Sequence, residues 1–147
     1  MNNSAGYTLA ELVVTIVLLG TLTVMAVPTY NKVINKAQIQ ANLSDMETIK
    51  NTFMQYFYEN HMTGNPHFPI EPENTLLDST YREITLEDGR TPDDLFSGDL
   101  PYNTNQYPYT YYWDDDTSYT GFITKRIIIK DVDSDSPSLN EYVVGEI

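Results

Sequence analysis

The sequence predicts an α+β fold in which one long amino-terminal helix packs on a small antiparallel β-sheet. An apolar run near the amino terminus passes without a break into a one-sided helical pattern, which indicates one helix with two environments. Farther along, two β-rich runs lie close together in the chain, as in a hairpin. A chain of 147 residues accommodates one compact domain and one appended segment.

Residues 7–30 are the predicted membrane-spanning segment. The stretch 12–27 carries no charged residue, and with its flanks the segment is long enough for the roughly 20 residues that span a bilayer. Tyr7 and Tyr30 lie at its ends, where aromatic residues anchor membrane helices. Residues 1–6 lack the basic residues of a secretory signal, so a membrane helix fits better than a cleaved signal. A buried core helix is the remaining alternative.

Residues 31–60 continue the helix with an amphipathic pattern. Pro28 lies where the two halves meet, and because it lacks an N–H group we expect a kink or a loosened turn before it. The helix should end after Asn60, where a segment rich in Gly and Pro follows. The apolar stripe that should face the sheet comprises Val33, Ala37, Ala41, Ile49, Phe53 and Phe57.

Residues 61–147 are the predicted globular domain, which is acidic and β-rich. Residues 107–113 and 121–130 are the expected hairpin strands, with residues 114–116 in the turn, and residues 141–147 are a third strand. Strand alternation places one set of aromatic residues on the same face of the first strand. This set comprises Tyr107, Tyr109, Tyr111 and Trp113.

The charge of the chain is concentrated in this domain. The whole chain has 21 Asp and Glu against 8 Lys and Arg, a formal net charge of −13. Clusters of Lys and Arg, which nucleic-acid binding requires, are absent from the sequence, so we expect no nucleic-acid partner. The chain has no Cys, which excludes disulfides and thiolate metal sites.

A carboxylate at the start of an apolar segment needs an explanation. Glu11 lies there without a Lys or Arg within helical reach, although a charged residue in a membrane helix costs about 2.5–3.5 kcal/mol. The surrounding residues resemble the amino terminus of the type IV pilin and pseudopilin family, which has a short leader ending in Gly and a Glu as fifth residue of the mature chain. The matching positions are Gly6, Tyr7, Thr8, Leu9, Glu11, Gly20 and Pro28.

The resemblance implies a type IV pilin-like fold and a defined processing pathway. A prepilin peptidase would cut between Gly6 and Tyr7, and the new amino terminus at Tyr7 would be N-methylated. Glu11, Gly20 and Pro28 would then act in assembly, with Glu11 pairing with the terminal amine of a neighbouring copy. Two positions depart from the family pattern, since Tyr7 replaces the commoner Phe and the leader lacks Lys and Arg.

The resemblance also implies partners and a location. The subunit would lie in the inner membrane as a single-pass protein with its globular domain outside the cytoplasm, and would later enter a periplasmic or surface filament. Its partners would be further copies of itself or related subunits, the prepilin peptidase, and an inner-membrane assembly platform with its ATPase. Lys32 and Lys36 follow the span, and the positive-inside rule alone would predict the opposite orientation.

The carboxy-terminal region contains a candidate calcium site. Asp131, Asp133 and Asp135 lie at alternate positions with Glu141 beyond them, and calcium prefers several oxygen ligands. The segment fails as an EF-hand loop, because Ser136 stands where Gly is required. Major pseudopilins use a calcium loop in this region, so the resemblance adds to the calcium hypothesis. A solvated acidic turn is the alternative.

The functional hypothesis is therefore a structural subunit rather than an enzyme. No Ser/His/Asp set, phosphate-binding loop or isolated carboxylate pair is recognisable in the sequence. The expected organisation is a leader at 1–6, a membrane and assembly helix at 7–30, its amphipathic continuation at 31–60 and the globular domain at 61–147. The alternative function is a single-span, membrane-anchored binding domain that does not polymerise.

Overall fold

A computed structural model describes residues 7–116 and 124–147. Its elements are helix α1 (Leu9–Met62), helix α2 (Ser79–Arg82), a 3₁₀ helix (Asp93–Leu95) and strands β1 (Thr110–Asp116), β2 (Thr124–Lys130) and β3 (Tyr142–Glu146). The predicted α+β layout of one long helix packed on a small antiparallel sheet is confirmed.

The chain divides into two compact units, and the boundary between them lies within α1. The first unit extends to Ala37 and the second comprises Gln38–Ile147. In the first unit, the large apolar side chains described between Leu12 and Val24 are 49–75% exposed. This part of α1 is long and apolar enough to cross a membrane.

The second unit has a hydrophobic core between α1 and the sheet. Ile49 and Phe53 are fully buried and Phe57 is 5% exposed, so this part of the predicted stripe faces the core. The Phe53 ring lies 4.7 Å from the Tyr111 ring in an edge-to-face arrangement, which aromatic pairs favour. Ala41, by contrast, is exposed. The stripe is completed instead by Asn42 and Met46, which are both fully buried.

The sheet has the order β1-β2-β3 with antiparallel pairing throughout. Tyr111 pairs with Ile129, which in turn pairs with Val143, and all three are buried. Because side chains alternate across a strand, the neighbouring positions face away from the core. Tyr112 is accordingly 37% exposed.

Strand β1 begins and ends later than predicted. Strand β1 runs from Thr110 to Asp116 rather than over 107–113, so the three consecutive Asp residues belong to the strand. Asp114 lies opposite Arg126, and its carboxylate accepts two hydrogen bonds from the guanidinium at 2.6 and 2.9 Å. A cross-strand ion pair explains why this residue is compatible with a strand. The rest of the predicted turn lies outside the residues that the structure describes.

Candidate functional site

At the amino end of α1, the carboxylate of Glu11 is hydrogen-bonded to Thr8 of the same chain. The backbone N–H and the hydroxyl of Thr8 each donate to Oε2 of Glu11 at 2.8 Å. In return, the backbone N–H of Glu11 donates to Oγ1 of Thr8 at 3.3 Å. This reciprocal arrangement is a capping box, in which the side chains accept from N–H groups that have no helical partner. A negative charge in the first turn is also favoured by the helix dipole.

Among the described residues, the others predicted for processing and assembly do not cluster into a pocket within one chain. Tyr7 precedes the helix and is 89% exposed, while Gly6 lies outside the described residues. Gly20 lies in the exposed apolar part of α1, and a Cβ there would meet nothing within 4 Å. Helix α1 continues through Pro28. The assigned roles of these residues stay predictions.

A second site is a buried polar network centred on Asp131, which is fully buried. Its Oδ2 accepts hydrogen bonds from the hydroxyls of Ser136 and Ser138, both at 2.6 Å. Its Oδ1 accepts from the side chain of Asn103 at 3.3 Å and from the backbone N–H of Asp133 at 3.0 Å. Both oxygens therefore have two donors each, as a buried carboxylate requires.

Asn42 links this network to helix α1. Its Nδ2 donates to the hydroxyls of Ser136 at 3.2 Å and Ser138 at 2.6 Å. Its Oδ1 accepts from the backbone N–H of Thr104 at 2.9 Å. The side chain thus joins the helix to two separate loops, and its polarity is fully used in a buried position.

Asp133 extends the network toward the surface. Its Oδ2 accepts from Asn105 at 2.7 Å and from Asn103 at 3.0 Å, and its Oδ1 accepts from the backbone N–H of Asp135 at 3.0 Å. The hydrogen bond from Asn105, followed by that from the Asp135 backbone, lowers the pKa of Asp133 below its usual value. The ionised carboxylate is therefore the form that the fold stabilises.

The four residues of the calcium hypothesis are divided between two environments. Asp131 and Asp133 are buried and close together, whereas Asp135 and Glu141 are exposed. Among residues 7–116 and 124–147, no group of three or more His, Asp or Glu side chains is arranged to hold a metal ion. Calcium at this position stays a prediction. To bind Asp131 and Asp133, the ion would have to displace the N–H and O–H groups that donate hydrogen bonds to them.

Sequence reasoning missed the role of Asn42. The helical pattern marked apolar positions only, and an Asn on a predicted helix is usually solvent-exposed. The available signal was its position four residues before Met46 and seven before Ile49, which places it on the buried face. The partners Ser136 and Ser138 could not be assigned, because they lie more than 90 residues away in the chain.

Comparison with known proteins finds similarity at the amino terminus. Residues 1–27 match the family model described as the prokaryotic N-terminal methylation motif. The match includes Gly6, Tyr7, Glu11 and Gly20, and it ends one residue before Pro28. No curated protein and no solved structure matches the chain.

Proposed function

The chain carries in residues 1–27 the methylation motif that is the signature of type IV pilins and pseudopilins, and from it we propose a filament subunit that a prepilin peptidase processes. The motif is the observation that carries this proposal. It confirms the resemblance noted in the sequence, and it implies a structural protein rather than an enzyme. Cleavage between Gly6 and Tyr7 with methylation of the new amine is the processing step that we infer.

The exposed half of α1 supports assembly through this helix. Its apolar side chains, such as Ile16 at 60% and Leu22 at 65% exposed, are not covered by the residues of their own unit that the structure describes. An apolar helix surface of this kind is covered by lipid before assembly. In a filament, the same surface would be covered by the helices of neighbouring copies.

The position of Glu11 also supports the proposal. Cleavage before Tyr7 creates a cationic amine near the helix start, and in an apolar filament core that amine on one copy would pair with Glu11 of the next. Such a pair fixes register even where it adds little net stability, because a wrong register leaves a charge unpaired. The capping box with Thr8 holds the carboxylate in place before assembly.

The proposal extends to partners and location. The subunit is membrane-anchored through its amino-terminal helix, with the acidic globular domain outside the cytoplasm, until an assembly platform and its ATPase move it into the filament. Prepilin peptidase and further subunits are the protein partners. The alternative, an anchored binding domain that never polymerises, would need neither the motif nor a free amine at Tyr7.

Two measurements test processing and assembly. Mass spectrometry of the membrane-derived protein should find methylated Tyr7 at the amino terminus. The variant Glu11→Ala should insert into the membrane normally but enter sheared filaments about tenfold less than wild type, as expected when one member of a charge pair is lost. Thr8→Ala is the matched control, because it removes the capping box and keeps the carboxylate.

Three results would contradict the proposal. An intact Met1 at the amino terminus would exclude processing. Equal losses in Thr8→Ala and Glu11→Ala would show that Glu11 acts as a helix cap and not in assembly. A processed subunit that never appears in filaments would favour the anchored binding domain.

A further inference from the structure

The two units of the chain differ in charge sign. The unit up to Ala37 has one acidic and two basic residues, whereas Gln38–Ile147 has twenty acidic and six basic residues. Copies of the acidic unit must repel one another when they are brought together. A contact between the basic residues of one copy and the acidic unit of another reverses this repulsion.

The basic residues of the first unit are free to make such a contact. Lys32 and Lys36 lie one helical turn apart in α1, are exposed, and have no ion pair within the described part of the chain. The sequence from residue 12 to residue 44 contains no acidic residue. No carboxylate of the same helix therefore lies three or four positions from either lysine.

The basic residues of the acidic unit are mostly engaged. Lys50 pairs with Glu47, Arg82 with Asp93, Arg90 with Glu59 and Asp88, and Arg126 with Asp114. Lys125 lies over the ring of Trp113, with its amine 5.0 Å from the ring centroid. The cations that remain on α1 are Lys32 and Lys36.

Asp45 is the matching carboxylate on the acidic unit. It is half-buried on α1, and within the described residues its side chain has neither a hydrogen bond nor an ion pair. Burial alone raises its pKa above the usual value. An ionised carboxylate held in this state is less stable than one with a cationic partner.

We propose that Lys36 of one copy forms an intermolecular ion pair with Asp45 of another copy, so that these two residues set the stagger between that pair of copies. The inference rests on the proposed filament. Within one copy the two residues cannot meet, because nine residues of α-helix rise about 13.5 Å. Between parallel copies, a shift of nine residues along the helix brings them level.

The direction of this shift agrees with that of the terminal pair. Pairing of Glu11 with the amine of Tyr7 requires the second copy to be displaced toward the carboxyl end of the first helix, by about four residues. Pairing of Asp45 with Lys36 requires displacement in the same direction by nine, so the two pairs join one copy to two different neighbours. Lys36 fits better than Lys32, because Lys32 lies two residues after Tyr30, at the membrane interface, and would need a shift of thirteen residues.

Zero-length carbodiimide crosslinking of sheared wild-type filaments tests the contact directly. The filaments are grown from a mixture of ¹⁴N- and ¹⁵N-labelled subunits, so that a mixed-isotope peptide identifies a bond between copies. We expect a mixed Lys36–Asp45 peptide in filaments and none in detergent-dispersed monomers. Lys32 is the internal control, since it has the same charge and exposure but the wrong spacing.

Charge exchange tests the same pair by function. Lys36→Glu and Asp45→Lys should each reduce filament yield about tenfold, since like charges placed together across an interface are strongly unfavourable. The double variant should recover most of the yield. Asp45→Asn controls for folding, because it removes a carboxylate that burial disfavours; it should keep or raise the melting temperature and still lower the filament yield.

The outcomes separate this contact from the filament itself. Filaments that form without the mixed Lys36–Asp45 peptide, or single variants that assemble like wild type, overturn the ion pair and leave the filament intact. A Lys36→Glu defect that Asp45→Lys does not rescue, with weaker binding to anionic phosphatidylglycerol vesicles, overturns it in favour of a lipid contact. A wild-type chain that forms no filaments overturns the proposed function, and the ion pair with it.

Discussion

Helix α1 has apolar residues along its whole length, but its two parts expose them differently. Ile16 in the first part is 60% exposed, whereas Ile49 in the second part is fully buried. The first part is apolar on all sides and the second on one side, so the two parts require different surroundings. A single secondary-structure element thus leaves its apolar side chains exposed at one end and buries them in an intramolecular core at the other.

The largest expected effect on stability comes from making the same substitution, Ile to Ala, in each part of α1. Ile49→Ala should destabilise the acidic unit by about 2–5 kcal/mol, because it removes a buried side chain and leaves a cavity. Ile16→Ala, the matched control, should change that stability by less than about 0.5 kcal/mol, since the side chain is exposed. Denaturant unfolding of the full chain in detergent, followed by Trp113 fluorescence, measures both.

The two variants should exchange their effects in assembly. Ile16→Ala removes surface that neighbouring helices would cover, so filament yield should fall while the fold stays intact. Equal destabilisation by the two substitutions would mean that Ile16 also packs within the subunit. The separation of the two parts of α1 would then be wrong.

A smaller loss of stability is expected when Asp131, which binds the carboxy-terminal loop of the acidic unit, is substituted. Asp131→Asn should cost about 1.5–3 kcal/mol, because hydrogen bonds to a buried charged group are lost or reversed. Asp135→Asn makes the same chemical change on an exposed side chain four residues away and should be nearly neutral. Thermal unfolding of both variants, with wild type alongside, measures the difference.

The same pair of variants separates the network from the calcium hypothesis. If the hydrogen bonds alone hold the loop, a chelator should leave the melting temperature of wild type unchanged. A rise in melting temperature on adding calcium, lost in both Asp131→Asn and Asp135→Asn, would instead favour a metal site. The structure provides the buried carboxylates with donors that need no ion.

The smallest expected effect is the change in melting temperature as the pH is lowered. The pKa of Asp133 is lowered in the fold, so its contribution to stability is complete above the usual pKa of about 3.9 and is lost as pH falls through the lowered value. The melting temperature of wild type should therefore approach that of Asp133→Asn as pH decreases from about 5 to below 3. A constant difference across this range would show that Asp133 contributes no charge-dependent stability. The first unit, whose one carboxylate is Glu11, should show little acid response in its helicity.

The regular features of the fold were predictable because each depends on local sequence. The apolar pattern changes along the sequence from all helix faces to one face, and this change predicts α1. The same pattern places Ile49, Phe53 and Phe57 on the buried face. The β-rich composition identified the hairpin. The amino-terminal motif was recognisable because several fixed positions, among them Gly6 and Glu11, occur within one apolar segment.

The errors came from one local feature and from contacts between distant residues. The strand was placed too early because Tyr107 favours β structure, but Pro108 has no N–H for a ladder and Asn103 binds the backbone N–H of Tyr107 at 2.8 Å. Consecutive Asp residues after Trp113 are typical of a turn, but Arg126 lies opposite Asp114 and makes the strand continue. The partners of Asn42 were unpredictable for the same reason, since they lie in loops that the helix pattern does not predict.

The Asn42–Asp131 network has a consequence for the conditions in which the protein keeps its fold. Its links are amide, hydroxyl and carboxylate hydrogen bonds, and the chain contains no Cys. The attachment of the carboxy-terminal loop is therefore independent of redox potential. The chain has no thiol to oxidise, and reductants that open disulfides leave this attachment unchanged.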